Sequence, residues 1–399
     1  MTKSPALPND SKLLLAIHSL HKISSLFLGT FLISFIMQNS VNEILSVSLY
    51  ELFTHMALGV GFFILADWVK RKDKVSVFKL NLIPKIICLG AIVFLKESII
   101  HYIVPLAIVY GMHVALYWSP LHVMTGEKIP ADLMSRFVSY RSLVSRVTKV
   151  VAPLILGLFI TAGSYEDMAV ALLVLCFVEF GLMFFMKPSM HRLKKKVDLF
   201  GFWRCMMRFP VIRRLFFIET LRGFSIDGAL GTIVIMYTVY MFKTDLNLGI
   251  FTTIFSIFAI GTAFLFGRFG RKSAFSRLMF ASTLAALCSL ALFVTYTSEI
   301  TFLIYNFVYV TAIAVMDIIA ETNMYCLSKS KCVTKNHKVE YFLFRESALN
   351  AGRTVAYTSL FLVGIFGGYE WLRWYLVVLT AAIVMVGFMS IRINSCINN

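Results

Sequence analysis

Charge is scarce in this chain, and acid is scarcer than base. Charged residues are 15% of 399, with Asp and Glu numbering 21 against 38 Lys and Arg. A soluble globular chain carries about 25% charged and about 45–50% apolar residues. Here the apolar share is 59% and the mean hydropathy is +0.80. That balance excludes a soluble enzyme with a single core and a disordered chain. Seven cysteines are present (Cys88, Cys176, Cys205, Cys288, Cys326, Cys332 and Cys396), an odd number with no C-x-x-C pair. A disulfide framework is therefore not expected. The sequence also lacks an H-E-x-x-H, a P-loop and a G-x-S-x-G, so it is read as no enzyme, with no metal, no cofactor and no ATP-driven step. Residues 1–11 are short and polar, and no cleaved signal peptide is expected there.

What the chain has is long apolar runs. A membrane-spanning helix needs roughly 20 mostly apolar residues. Runs of that kind lie at 22–39, 46–66, 79–95, 101–122, 142–162, 168–186, 214–242, 247–266, 278–295, 300–325, 346–366 and 372–391. They are continuous, unlike the short alternating segments of a barrel. The expectation is an all-α integral membrane protein with 12 transmembrane helices.

Most of the 38 Lys and Arg fall in the termini and in every second connection. The opposite connections hold Lys96, Lys243 and Arg373, beside the acids Glu43, Glu97, Glu166, Asp167 and Glu299. Basic residues collect on the cytoplasmic side. Both termini are thus placed inside, in a multi-pass protein of the cell (inner or plasma) membrane. The net charge of +17 follows from this topology and does not point to nucleic acid. The longest connection, 187–213, holds the basic run 191–196 and then Trp203, Arg204 and Arg208. It reads either as a segment on the inner leaflet or as a solvated linker. It divides the chain into bundles of six helices, 1–186 and 214–399.

The halves carry related features. Asp67, Arg71 and Lys72 follow the second run, and Arg268, Gly270, Arg271 and Lys272 follow the eighth. Arg141 and Lys149 match Arg345 and Arg353 at one common offset. The chain resembles the major facilitator superfamily over essentially its whole length. The resemblance rests on the six-plus-six layout, the basic central loop and two partial copies of the family's loop signature G-x-x-x-D-R-x-G-R-R/K. The first copy departs at Phe63, Trp68 and Lys70, and the second has Gly267 in place of the acid. The resemblance implies two bundles with pseudo-twofold symmetry and a secondary transporter working by alternating access around a central site. It also implies a cytoplasmic latch formed by Asp67, Arg71, Lys72 and by Arg268, Arg271, Lys272. Ala152-Pro153 with Gly157 is similar to a stretch of the family's proton-coupled exporters.

Ionisable residues inside a membrane are costly and are functional candidates by default. Glu219 and Arg222 are spaced to pair on one helical face, with Asp227 deeper among Gly223, Gly228 and Gly231. Asp227 is a candidate proton or substrate acid, or a structural partner of Arg222. Asp317 and Glu321 share a face and suit reversible protonation, or pair with Arg345 or Arg353. Glu346, Asn350 and Arg353 form a polar stripe, read as a gate. His113 and Tyr117 share a face expected to line a cavity. His18 and His21 are expected at the interface, and Lys85 and Glu179 are either paired or functional. The resulting expectation is a monomeric carrier of a small organic solute, proton-coupled, with export favoured. An amphiphile or lipid flippase and a non-transporting receptor or scaffold remain as alternatives.

Overall fold

A computed structural model describes residues 8–129, 131–188, 197–269, 274–328 and 338–398. Twelve long helical rods run through the described residues. In the first half they are α1 (Asn9–Asn39), α2 (Glu43–Arg71), α3 (Leu82–Leu95), α4 (Ile103–Lys128), α5 (Ala131–Ala162) and α6 (Tyr165–Phe184). In the second half they are α7 (Pro210–Phe242), α8 (Asp245–Phe269), α9 (Phe275–Thr295), α10 (Glu299–Ser328), α11 (Lys338–Phe366) and α12 (Tyr369–Asn398). Ten described segments are long and apolar enough to cross a membrane, the segment Lys74–Leu121 containing both α3 and most of α4. α11 is not among them, since it carries Glu346, Asn350 and Arg353.

The rods extend beyond the apolar runs. Asp73 caps a short helix, Lys74–Lys79, by accepting hydrogen bonds from the amides of Val75 and Ser76. Asp198 likewise caps Leu199–Met206 within the central connection. Phe202 of that short helix is buried and stacks on Phe344, whereas Phe200 and Trp203 are exposed.

The contacts divide the chain into two units. One comprises residues 1–40, 56–197 and 244–253, and the other 41–55, 198–243 and 254–399. The break falls at 197/198, and the first turns of α2 and α8 are each grouped with the opposite half of the sequence.

Within each unit the packing follows one scheme. In the first, α1 packs on α5 and α6, and α3 packs on α4 and α6. In the second, α7 packs on α11 and α12, and α9 packs on α10 and α12. Each pair in one unit has its counterpart six helices later. The repeat extends to an irregularity, because α1 and α7 each contain a π-turn, Phe27–Phe31 and Ser225–Ala229.

The α7–α11 pair is brought together by glycine, as in membrane bundles where small residues let backbones approach. A Cβ on Gly223 would lie 1.9 Å from the Leu349 carbonyl oxygen, and one on Gly352 would lie 2.0 Å from that of Thr220. A Cβ on Gly231, further along α7, would meet nothing within 4 Å. Gly223→Ala and Gly352→Ala are thus expected to lower stability by about 1–3 kcal/mol through overpacking. Gly231→Ala should leave stability unchanged or raise it by up to about 1 kcal/mol. Thermal unfolding of the three purified variants checks the contrast.

Candidate functional site

The second unit holds a cluster of charges at the π-turn of α7. Arg222 sits at its centre, with its side chain only 4% exposed. Its Nη1 donates to Glu219 at 3.2 Å, one turn back on the same helix. Its Nη2 reaches Asp227 Oδ2 at 3.2 Å and Asp317 Oδ1, from α10, at 2.9 Å. Arg345 of α11 supports Glu219 from the other side, Nε to Oε2 at 3.0 Å, and also pairs with Glu346. Arg353 Nε donates to the Asp227 carbonyl oxygen at 3.0 Å, and its Nη1 donates to Asn350 Oδ1 at 3.2 Å.

The π-turn is what admits Asp227 to this group. Residues five apart lie on different faces of a regular α-helix, but an i→i+5 turn returns them to one face. Gly228 has φ −108° and ψ −134° within the turn, and Tyr357 of α11 donates to its carbonyl oxygen at 3.2 Å. The chain is thus held at the turn by two α11 side chains, Arg353 and Tyr357.

The three carboxylates around Arg222 differ in access. Glu219 is fully buried, whereas Asp227 and Asp317 are 29% and 37% exposed. The cluster therefore presents two carboxylates that share one guanidinium. Such a pair can take up a proton or receive a donor-rich or cationic group. Asp317 binds Arg222 rather than the expected Arg345 or Arg353. The side chain of Glu321 lies outside the described residues.

The other sequence candidates fall elsewhere. His113 and Tyr117 are fully buried in the first unit and do not form an open wall. His113 Nδ1 contacts the Asn81 carbonyl oxygen at 2.9 Å, and Tyr117 OH contacts His18 Nδ1 at 2.7 Å. His18 and His21 are also buried rather than interfacial, and His21 stacks on Tyr117. Beside them, Lys85 Nζ pairs with Glu179 Oε2 at 2.5 Å, both side chains being 0% exposed. Among the described residues no three His, Cys, Asp or Glu side chains are placed to hold one metal ion.

In the loop signature, Asp67 Oδ1 accepts from the Val197 amide at 3.3 Å, while Arg71 and Lys72 are exposed, with Lys72 over the Trp68 ring. Arg271, Lys272 and the side chain of Arg268 lie outside the described residues. Pro153 and Gly157 pack against the start of α8, where a Cβ on Gly157 would lie 2.7 Å from the Asp245 carbonyl oxygen.

Two polar groups escaped the sequence reading. Asp245 accepts from Ser34 Oγ at 2.7 Å, Tyr165 OH at 2.6 Å and Gln38 Nε2 at 3.1 Å. Glu51 and His55 of α2 lie side by side within the second unit, Oε2 to Nε2 at 3.4 Å, and their i, i+4 spacing was the signal that could have exposed them.

A buried ion pair stripped of one member leaves an uncompensated charge, at about 3–5 kcal/mol. Arg222→Met is expected to cost that much stability, and adding Glu219→Gln with Asp317→Asn should restore part of it. Thermal unfolding of the single and triple variants tests this.

The model of the Major Facilitator Superfamily matches residues 19–331. No curated protein matches the chain. A bacterial homologue of the iron transporter ferroportin, in an inward-facing state, has a similar structure. It is 12% identical, with 98% of this chain and 100% of that one covered and a TM-score of 0.71. A D-xylose–proton symporter is also similar, 12% identical over 96% of this chain and 95% of that one, with a TM-score of 0.68. A third, described as a bacterial metal transporter, is 12% identical over 98% of this chain and 100% of that one, with a TM-score of 0.61. At these identities the likeness is one of fold.

Proposed function

Because the chain belongs to the Major Facilitator Superfamily, we propose that this multi-pass membrane transporter is a secondary carrier. It moves a small organic solute by alternating access, coupled to protons, with export favoured. The observation that carries the reading is Arg222 shared by Asp227 and Asp317, two carboxylates that remain partly exposed.

The physical argument is one of charge balance. Asp227 and Asp317 place two partly exposed carboxylates on one guanidinium, so a proton has carboxylate oxygens to bind at the same atoms that a solute would use. A solute that brings a cationic or donor-rich group displaces that proton or the guanidinium. Binding and protonation then compete for the same atoms, which is the thermodynamic basis of coupling. The similar structures are named for iron, for metal and for D-xylose with a proton. The fold thus accommodates unlike cargoes, and the carboxylates of this cluster are what argue here for a donor-rich or cationic organic solute.

The bias of Lys and Arg supports cytoplasmic termini in the cell membrane. The Pro153–Gly157 stretch supports export. The two sequence halves, with the basic connection between them, are read as the moving bundles of a monomeric carrier.

A thermal-shift screen of solutes at pH 5.5 and 7.5 identifies a ligand for the purified protein, since binding to the folded state raises its apparent stability. Transport of that ligand is then measured in proteoliposomes. Asp227→Asn and Asp317→Asn are each expected to lower the rate at least about tenfold and to flatten its pH dependence. A pH dependence identical to wild type in both variants would sink the proton assignment.

A further inference from the structure

We propose that Glu51 and His55 of α2 form a proton-binding site, distinct from the Asp227–Asp317 pair, whose protonation acts on the charge cluster through α11. The proposal deepens the reading of a proton-coupled carrier and rests on it.

The placement comes first. Residues 41–55 group with the second unit, whereas 56–71 of the same helix group with the first. Glu51 and His55 lie one turn apart on the grouped segment, with His55 Nε2 3.4 Å from Glu51 Oε2. Glu51 is 8% exposed. A carboxylate and an imidazole so deeply placed in a spanning helix are costly to retain.

The surroundings give the pair its reach. The His55 ring stacks on Tyr357 of α11, with centroids 5.2 Å apart and planes at 9°. Tyr357 OH is also 2.9 Å from Thr232 Oγ1, besides holding the Gly228 carbonyl oxygen. Arg353 and Asn350 stand one and two turns before Tyr357 on α11. Arg353 is the residue that holds the Asp227 carbonyl oxygen. Tyr357, one of the two α11 side chains that fix the π-turn, therefore also meets His55, and the other, Arg353, stands one turn before it on the same helix.

The groups facing the ring can now be named. From its own helix there is the anion Glu51. From α11 there are the cation Arg353, the amide of Asn350 and the phenol of Tyr357, which Tyr375 of α12 also influences. From α7 come Thr232 and the backbone around Asp227, reached through Tyr357 and Arg353.

The chemistry follows. In a neutral ring Nε2–H faces Glu51, and Nδ1 is buried with no hydrogen-bond partner among the described residues. A proton arriving from water at Nδ1 gives an imidazolium beside a carboxylate, which converts a net negative pair into a neutral one. The new positive charge faces the Glu51 carboxylate across 3.4 Å. Drawing Arg353 toward Asp227 and away from the ring lets the proton on. Loss of the proton has the reverse effect. Proton occupancy on α2 and the geometry of the α7 site are thereby linked reciprocally.

The test needs no solute. In protein labelled with 15N-histidine, the resonance missing from the His55→Gln variant should change its charge state as the pH is lowered from 8 to 4. Glu51→Gln removes the favouring anion, so the midpoint should fall by about one pH unit or more. A His55 ring that keeps one charge state across this range, or ignores Glu51→Gln, overturns the proposal.

A second measurement follows distances between spin labels on the two units, in a cysteine-free background, at pH 5.5 and 7.5. The wild-type distribution should shift with pH. The shift should vanish in His55→Gln and persist in His113→Gln, which removes another buried imidazole. A shift that survives His55→Gln overturns this inference alone. A wild-type distribution that ignores pH overturns the proton-coupled reading beneath it. If His55→Gln fails to fold, Glu51→Gln carries the same contrast.

Discussion

A guanidinium held inside the apolar slab is the constraint from which the rest of the second unit follows. Arg222 cannot shed its charge, and its burial is tolerable only with its fork filled. Filling it takes a carboxylate one turn back, one five residues on, and one from another helix. The five-residue partner requires the π-turn, and the π-turn frees backbone carbonyls that need donors. Arg353 and Tyr357 supply those donors from α11. Their reach requires α11 to lie against α7, and Gly223 and Gly352 permit that approach. A single charge is thus accommodated by a backbone irregularity, a helix contact and two glycines acting together.

The first unit has the same helix pairs and a different chemistry. Its π-turn lies at the matching place, Phe27–Phe31 against Ser225–Ala229. Aligning the two turns sets His21, Ser24 and Gly29 against Glu219, Arg222 and Asp227. The irregular helix persists although the charges are gone, so the turn is a property of the repeat and not only of the cluster. The buried charge of the first unit sits on α3 and α6 instead, as Lys85 and Glu179. Around it the histidines are held by neutral partners, Tyr117, Ser145, Ser25 and the Asn81 carbonyl.

Periodicity and hydropathy made the helices legible in the sequence, because a membrane allows a long apolar run few other structures. The Glu219–Arg222 pair was legible for the same reason, since three-residue spacing has one meaning on a regular helix. Asp227 was named, with Arg222 among the partners weighed for it, but the spacing could not select that contact, because the π-turn breaks the spacing rule. The bond from Arg222 to Asp317 spans 95 residues of sequence, which no local pattern encodes. His18 and His21 were read as interfacial from the edge of the apolar run, yet α1 continues to Asn9 and carries both under Tyr117. His113 was read as facing a cavity, but Asn81, in the bend before α3, covers it. Asp245 lay at a span end with nothing nearby in sequence to mark its three donors.

The grouping of helix segments bears on why one polar pair stands where it does. The first turns of α2 and of α8, equivalent helices in the repeat, are each grouped with the opposite half of the sequence. Each is tied by side chains within its unit. Asn42 Nδ2 donates to the Gly364 carbonyl oxygen at 2.9 Å, and Glu43 accepts from Tyr369 OH. Asp245 takes its three donors in the other unit. The ties at the helix starts are therefore common to both copies. Deeper along the helices the likeness stops. At the spacing that relates Arg71 to Arg271, Glu51 and His55 correspond to Phe251 and Phe255, so α8 carries aromatic rings where α2 carries an acid and a base. Fold maintenance does not require ionisable groups at these positions, since the equivalent helix is built without them. Their presence on α2, against Tyr357, one of the two residues that pin the π-turn, calls for a cause in the chemistry of the cluster that the turn serves.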